Sequence, residues 1–207
     1  MTSPRLTRRL MISAVAAAAA LSITSCNSSG TGSTVDGDMV QGDANAPVTV
    51  IEYASVTCGV CGAWHTQVYP EFKAQYIDTG KVRYVFREFP TPPFDIAAAG
   101  FLLARCAGED RYFQIIDAIM HSQQEWQQGT PPRQSLLRIA QSAGFSQEQF
   151  NACVTDENSV RALEERIQLG RRDGVTGTPT FFVNGRQISD PSLEGLSAAI
   201  DPLLPAS

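Results

Sequence analysis

The run Val48-Thr49-Val50-Ile51-Glu52-Tyr53-Ala54-Ser55-Val56-Thr57-Cys58-Gly59-Val60-Cys61 decides how the rest of the chain reads. Its first half is β-branched and aromatic, the composition of a buried strand. Past Cys61 the period changes. Trp64, Val68, Phe72 and Tyr76 recur every four residues, which predicts a helix from the cysteines to about Asp78. A C-x-x-C pair therefore stands where a strand hands over to a helix. There the unpaired N–H groups and the positive end of the helix dipole favour an anion, so Cys58 is expected to be a thiolate at neutral pH. Cys61, one turn on and more buried, is placed to close a disulfide with it. Two other uses fit worse. Structural zinc needs four ligands, and no second cysteine pair or Cys/His pair stands at matching spacing, the only histidines being His65 and His121. A purely structural disulfide leaves the strand-to-helix position without a reason.

Two further residues belong to this region. Glu52 precedes Cys58 by six residues among apolar and aromatic neighbours. It is expected beneath the helix, near Cys61, as acceptor of the resolving thiol's proton. His65 follows Cys61 by four residues on the same helical face, where a solvated surface histidine is expected.

Outward from the pair, Gly80 ends the helix and Lys81 to Phe89 alternates as a second strand until Pro90, Pro92 and Pro93 break it. Residues 94–172 read as a block of helices, roughly 94–107, 109–121, 133–143, 146–153 and 157–171, punctuated at Gly108, Gly129-Thr130-Pro131-Pro132 and Gly144. Thr180–Val183 is a third strand. Asn184-Gly185 is a hairpin signal, Arg186–Ile188 the return strand, and Ser192–Leu203 a last helix. No internal repeat is visible.

The start of the chain reads as an address. Arg5, Arg8 and Arg9 precede a short apolar run, Leu10 to Ile23, the pattern of a secretory signal. Thr7-Arg8-Arg9-Leu10-Met11-Ile12 also fits a twin-arginine signal. Ile23-Thr24-Ser25-Cys26 resembles the lipobox of bacterial lipoproteins, with Cys26 as the acylated residue; plain cleavage at a small-residue site is the alternative. Residues 27–38, rich in Ser, Gly, Thr and Asp, read as a tether to a membrane surface, and the folded body is expected from about Met39. The first 26 residues hold three arginines and no acid, so the remainder carries 13 basic against 21 acidic residues, a net −8. A body this acidic is not built for nucleic acid.

Glu52 through Cys61, together with Gly177-Thr178-Pro179-Thr180-Phe181, resembles the DsbA-like thiol-disulfide oxidoreductases of the thioredoxin superfamily, over about residues 39–205. The fold this implies is α/β: a thioredoxin fold with a helical insertion between the second and third strands. By the resemblance Pro179 is cis and faces the redox cysteines, and the Thr178 backbone receives a substrate peptide. The chain departs from the best-known oxidants of the family, which carry Pro-His between the cysteines where this one has Gly59-Val60. Cys58 is then expected to be less acidic than in those oxidants, which leaves oxidant, isomerase and reductase open.

Cys106 and Cys153 both lie in the helical block. In an exported protein two remaining cysteines are expected to pair; two buried free thiols are the alternative. The expectation is thus an exported oxidoreductase with Cys58 as nucleophile and Cys61 as resolving thiol. It would act on cysteine-containing envelope proteins, need no dissociable cofactor, and be reset by a membrane redox partner. The contrasting class is an envelope peptide-binding protein without redox chemistry.

Overall fold

The computed structural model describes residues 34–205. The signal, Cys26 and most of the expected tether lie outside the described residues. Among these residues a single sheet holds β1 (Met39–Gln41), β2 (Val48–Ala54), β3 (Val82–Glu88), β4 (Thr180–Val183) and β5 (Arg186–Ile188), in spatial order β1-β3-β2-β4-β5. β2 and β3 run parallel and the other neighbours antiparallel. β1 is the one strand the sequence reading did not resolve. It is three residues long, too short for a period to register.

β2 is central, and all its residues but Thr49 are buried. That is why it reads as a continuous apolar run rather than an alternation. Its side chains still divide by face. Val50 and Ala54 enter the large core with Tyr84 and Phe86, whereas Ile51 and Tyr53 join Val85, Val175 and Phe182 on the other side. Glu52 falls on the large-core face with Val50 and Ala54. At the far hairpin, Asn184 (φ 44°) and Gly185 (φ 81°) both take the left-handed conformation that a two-residue turn of this kind needs.

The helix after the cysteines is not continuous to Asp78. α1 (Gly59–Gln67) stops at Val68, α2 (Tyr69–Phe72) restarts with Pro70 in its first turn, and a wider π-type turn covers Lys73–Ile77. Pro70 cannot donate a helical hydrogen bond, yet the apolar spacing runs straight through the break. The insertion between β3 and β4 comprises α3 (Phe94–Cys106), α4 (Glu109–Gln127), α5 (Pro132–Ser142), α6 (Gln147–Val154) and α7 (Glu157–Arg172); α8 (Leu193–Ile200) closes the chain. Cys106 and Cys153 are joined by a disulfide that ties the end of α3 to α6, with a Cα–Cα distance of 6.3 Å.

Two buried ionic groups fasten the insertion to the sheet. Glu88, the last residue of β3, is fully buried and accepts from Arg105 Nε at 2.6 Å, Arg166 Nε at 2.8 Å and the Tyr112 hydroxyl at 3.1 Å. Arg87 donates to both Asp38 carboxylate oxygens, at 2.9 and 2.8 Å, and to Asp173 at 3.2 Å. Asp38, expected at the end of the tether, is therefore held to the sheet, and the folded body includes it.

Candidate redox site

Cys58 is the N-cap of α1, with extended backbone angles (φ −82°, ψ 118°). Three short polar links fix the turn that carries it. The Ser55 and Thr57 hydroxyls lie 2.9 Å apart, Thr57 Oγ1 donates to the Thr91 carbonyl at 2.7 Å, and the Thr91 amide donates to Ser55 Oγ at 3.0 Å. A fourth comes from α4: Gln123 Nε2 donates to the Val56 and Cys58 carbonyls at 2.9 and 3.2 Å. Ser55 and Thr57 stand just ahead of the cysteine pair, but nothing in their spacing links them to Thr91 or Gln123, which lie in no motif and join the turn only in the folded chain.

Cys58 and Cys61 are both free thiols here, Cys58 half-buried and Cys61 fully buried. Cys58 is lowered from an ordinary value of 9.0 to about 5. The hydrogen bond from the Cys61 thiol is the first cause; burial opposes it, and Thr178 and the backbone amides of Cys61 and Val60 add to it. The helix start therefore contributes, but less than the partner thiol does. Cys61 is pushed far up by donating that hydrogen bond, by burial and by the Glu52 charge. A value of about 5 lies between those typical of thioredoxin, about 7, and of DsbA, about 3.5. The absent inter-cysteine histidine is thus consistent with a less acidic Cys58.

The Thr178–Pro179 peptide bond is cis, and the Thr178 carbonyl stands 3.4 Å from Cys58 Sγ. Glu52 pairs across the sheet with Phe86 on β3 and Phe181 on β4, is fully buried, and accepts from the Tyr84 hydroxyl. His65 is not a surface residue. It is 2% exposed, with Nε2 3.2 Å from Glu52 Oε2, and its ring packs against Trp64, Tyr69 and Phe86. The helix turns this position inward because Tyr69 and Phe86 close over it, which the four-residue spacing from Cys61 did not reveal. The structure thus gathers Cys58, Cys61, Glu52, Thr178 and Pro179, and adds His65. Among the described residues no group of His, Cys, Asp and Glu is arranged to hold a metal.

A dithiol at a helix start, opposite a cis-proline loop on a mixed sheet with a helical insertion, defines a thioredoxin-fold protein of DsbA-like architecture. The chain belongs to the thioredoxin family: the family model described as Thioredoxin matches residues 34–202. It is 36% identical over 174 residues to a Rickettsia bellii (strain RML369-C) protein provisionally named a protein-disulfide oxidoreductase, covering 83% of this chain and 66% of that one. A similarly named protein of Rickettsia prowazekii (strain Madrid E) is 36% identical over 171 residues, 82% of this chain and 62% of the relative. The chain spans less than two thirds of the length of these curated relatives. The crystal structure of Wolbachia pipientis alpha-DsbA1 superposes with a TM-score of 0.74 at 30% identity, covering 82% of this chain and 92% of that one.

Proposed function

We propose that the protein is a thiol-disulfide oxidoreductase of the DsbA kind, exchanging disulfides with cysteine-containing proteins through Cys58 and Cys61. One observation carries the reading: two thiols three residues apart are driven in opposite directions, Cys58 down to about 5 and Cys61 up. The half-buried thiolate attacks or departs, and the buried thiol resolves. In the oxidising direction a substrate thiolate attacks Cys58 Sγ of the Cys58–Cys61 disulfide, and Cys61 leaves and takes a proton. A second substrate thiolate then attacks the substrate sulfur of the mixed disulfide and expels Cys58 as thiolate. A sulfur this acidic leaves readily, and its stability as thiolate favours the reduced form of the protein, hence oxidation of the substrate. The Thr178 backbone, in the loop just before β4 and beside Cys58 Sγ, offers its hydrogen-bonding groups to an extended substrate. Glu52 takes the proton of Cys61 when that thiol attacks.

Export fits this chemistry. The signal-like start and lipobox put Cys26 at a membrane surface. The disulfide between Cys106 and Cys153 suits an oxidising compartment. Among the described residues no helix is long and apolar enough to cross a membrane. Substrates are then envelope proteins, and a membrane redox partner resets the pair.

The test is a pair of variants. Cys58→Ser abolishes insulin reduction, and Cys61→Ser accumulates disulfide-linked substrate proteins in cells. A peptide-binding protein without redox chemistry would give no thiol-dependent turnover and no trapped species. Palmitate labelling lost in Cys26→Ala tests the anchor.

A further inference from the structure

Among the described residues two carboxylates, Glu52 and Glu88, are wholly buried, and they are treated differently. Glu88 is clamped by two guanidiniums, Arg105 and Arg166, groups that keep their charge at any working pH. Glu52 has no such clamp. Among the described residues the one basic group within 4 Å of it is His65, with Nε2 3.2 Å from Oε2, and the side chains are 2% and 0% exposed. Glu52 Oε1 and His65 Nδ1 find no hydrogen-bond partner, and the Nε2–Oε2 contact lacks hydrogen-bond alignment. A permanent cation would lock a carboxylate in its charged form. An imidazole, which itself binds and releases a proton, does not.

From this juxtaposition we infer that Glu52 and His65 act as one proton-accepting unit for Cys61, with His65 a positioning residue that works through Glu52. The inference rests on the oxidoreductase reading above. In the resolving step Cys61 Sγ–H gives its proton to Glu52, and the Cys61 thiolate attacks Cys58 Sγ of a mixed disulfide. The Cys58–Cys61 bond forms, the Cys58–substrate bond breaks, and the electron pair leaves on the substrate sulfur as thiolate. Glu52 Oε2 stands 3.2 Å from His65 Nε2, so a small turn of either side chain aligns a hydrogen bond between them once Glu52 carries the proton. Departure of the Glu52 negative charge also removes the repulsion that opposes the Cys61 thiolate.

The groups facing the pair do not compete for this proton. Tyr84 on β3 and Tyr69 on α2 are both raised by burial first and by the Glu52 charge next; they stay neutral through the working range. Trp64 and Phe86 offer only ring surface. Cys61, on the same helix as His65, is the donor.

The experiment follows the reduced protein reacting with a symmetric nitrobenzoate disulfide. Attack by Cys58 releases one coloured thiolate, and resolution by Cys61 releases a second. In His65→Phe, which keeps a ring in the aromatic cluster, the first release stays within about twofold of wild type. The second slows about tenfold or more at neutral pH, and its pH profile moves to the alkaline side. His65→Gln, which keeps a polar partner for Glu52 but binds no proton, behaves the same way. An unchanged second release in either folded variant overturns the inference, and so does equal slowing of both releases, which would mark a merely structural role. Absence of the first release in wild type would strike the dithiol reading itself, and this inference with it.

Discussion

Gln123 of the helical insertion donates to the carbonyl oxygen of Cys58, 65 positions earlier in the chain, at 3.2 Å. The contact depends on Gly62 of α1. A Cβ there would stand 2.5 Å from Gln123 Oε1, so a methyl group would push the amide away from both the Cys58 and Val56 carbonyls. Gly62→Ala and Gln123→Ala therefore remove the same hydrogen bonds. Each is expected to cost about 1–3 kcal/mol, the range for buried acceptors left unpaired, less what alanine adds to helix propensity at position 62. The double variant should lie well short of the sum, because the second change finds the bonds already broken. Denaturant titration of the three variants checks this; additive losses would refute it.

Cys58 alone should react with iodoacetamide in mildly acidic solution, with a midpoint near pH 5, while Cys61 stays inert through neutrality. The same value has a stability consequence. The folded-state value is depressed below the ordinary 9.0, so the thiolate contributes stability that is complete above pH 9 and is lost as pH falls towards 5. The disulfide form has no such titration at Cys58. The melting temperature of the reduced protein should thus gain on that of the oxidised protein as pH rises from about 5 to about 9. A gap that does not vary with pH would contradict the assignment.

What the sequence conveyed and what it hid divide along a physical line. The strand before Cys58, the C-x-x-C at the helix start, the Asn184-Gly185 hairpin and the five helices of the insertion are local patterns, and each stands where its period or turn chemistry puts it, except that α4 runs on to Gln127, past the expected end at 121. His65 was misplaced because its burial is set by Glu52, Tyr69 and Phe86, which approach from other elements. Gln123, Thr57 and Thr91 act through polar contacts 34 to 67 residues apart, which leave no periodic trace. The break at Val68 was masked because the apolar spacing persists across it while only the backbone ladder changes. β1 escaped because three residues cannot display an alternation.

Glu88 should make the fold acid-sensitive. Burial alone would raise its carboxyl, yet Arg105 and Arg166 together bring it below the ordinary value. A depressed folded-state value means a contribution present above the unfolded value, about 4.3, and lost as pH falls through the folded one. Glu88→Gln should cost about 3 kcal/mol at neutral pH, since two largely buried guanidiniums lose their counter-charge. The variant should also lose less stability than wild type when taken from neutrality to low pH. Equal acid sensitivity of the two proteins, measured by denaturant midpoint at each pH, would count against the clamp.

The disulfide between Cys106 and Cys153 should stabilise the fold without entering turnover. It joins residues 47 positions apart, and closing a loop of that size in the unfolded chain is worth up to about 4 kcal/mol in the chain-entropy picture. The loop contains α4 and hence Gln123, so the redox turn is held by a helix inside the closed segment. While the protein is folded, packing of α3 with α4 and α6 keeps that helix in place with or without the bridge. Replacing both cysteines with alanine should therefore lower the denaturant midpoint while leaving the rate of the first thiolate release by Cys58 close to wild type. The difference should appear only where unfolding begins: near the variant's melting temperature, activity should fall together with structure. A variant that keeps its midpoint would deny the bridge its stabilising role. One that loses Cys58 reactivity while still fully folded would show that the bridge shapes the redox turn directly.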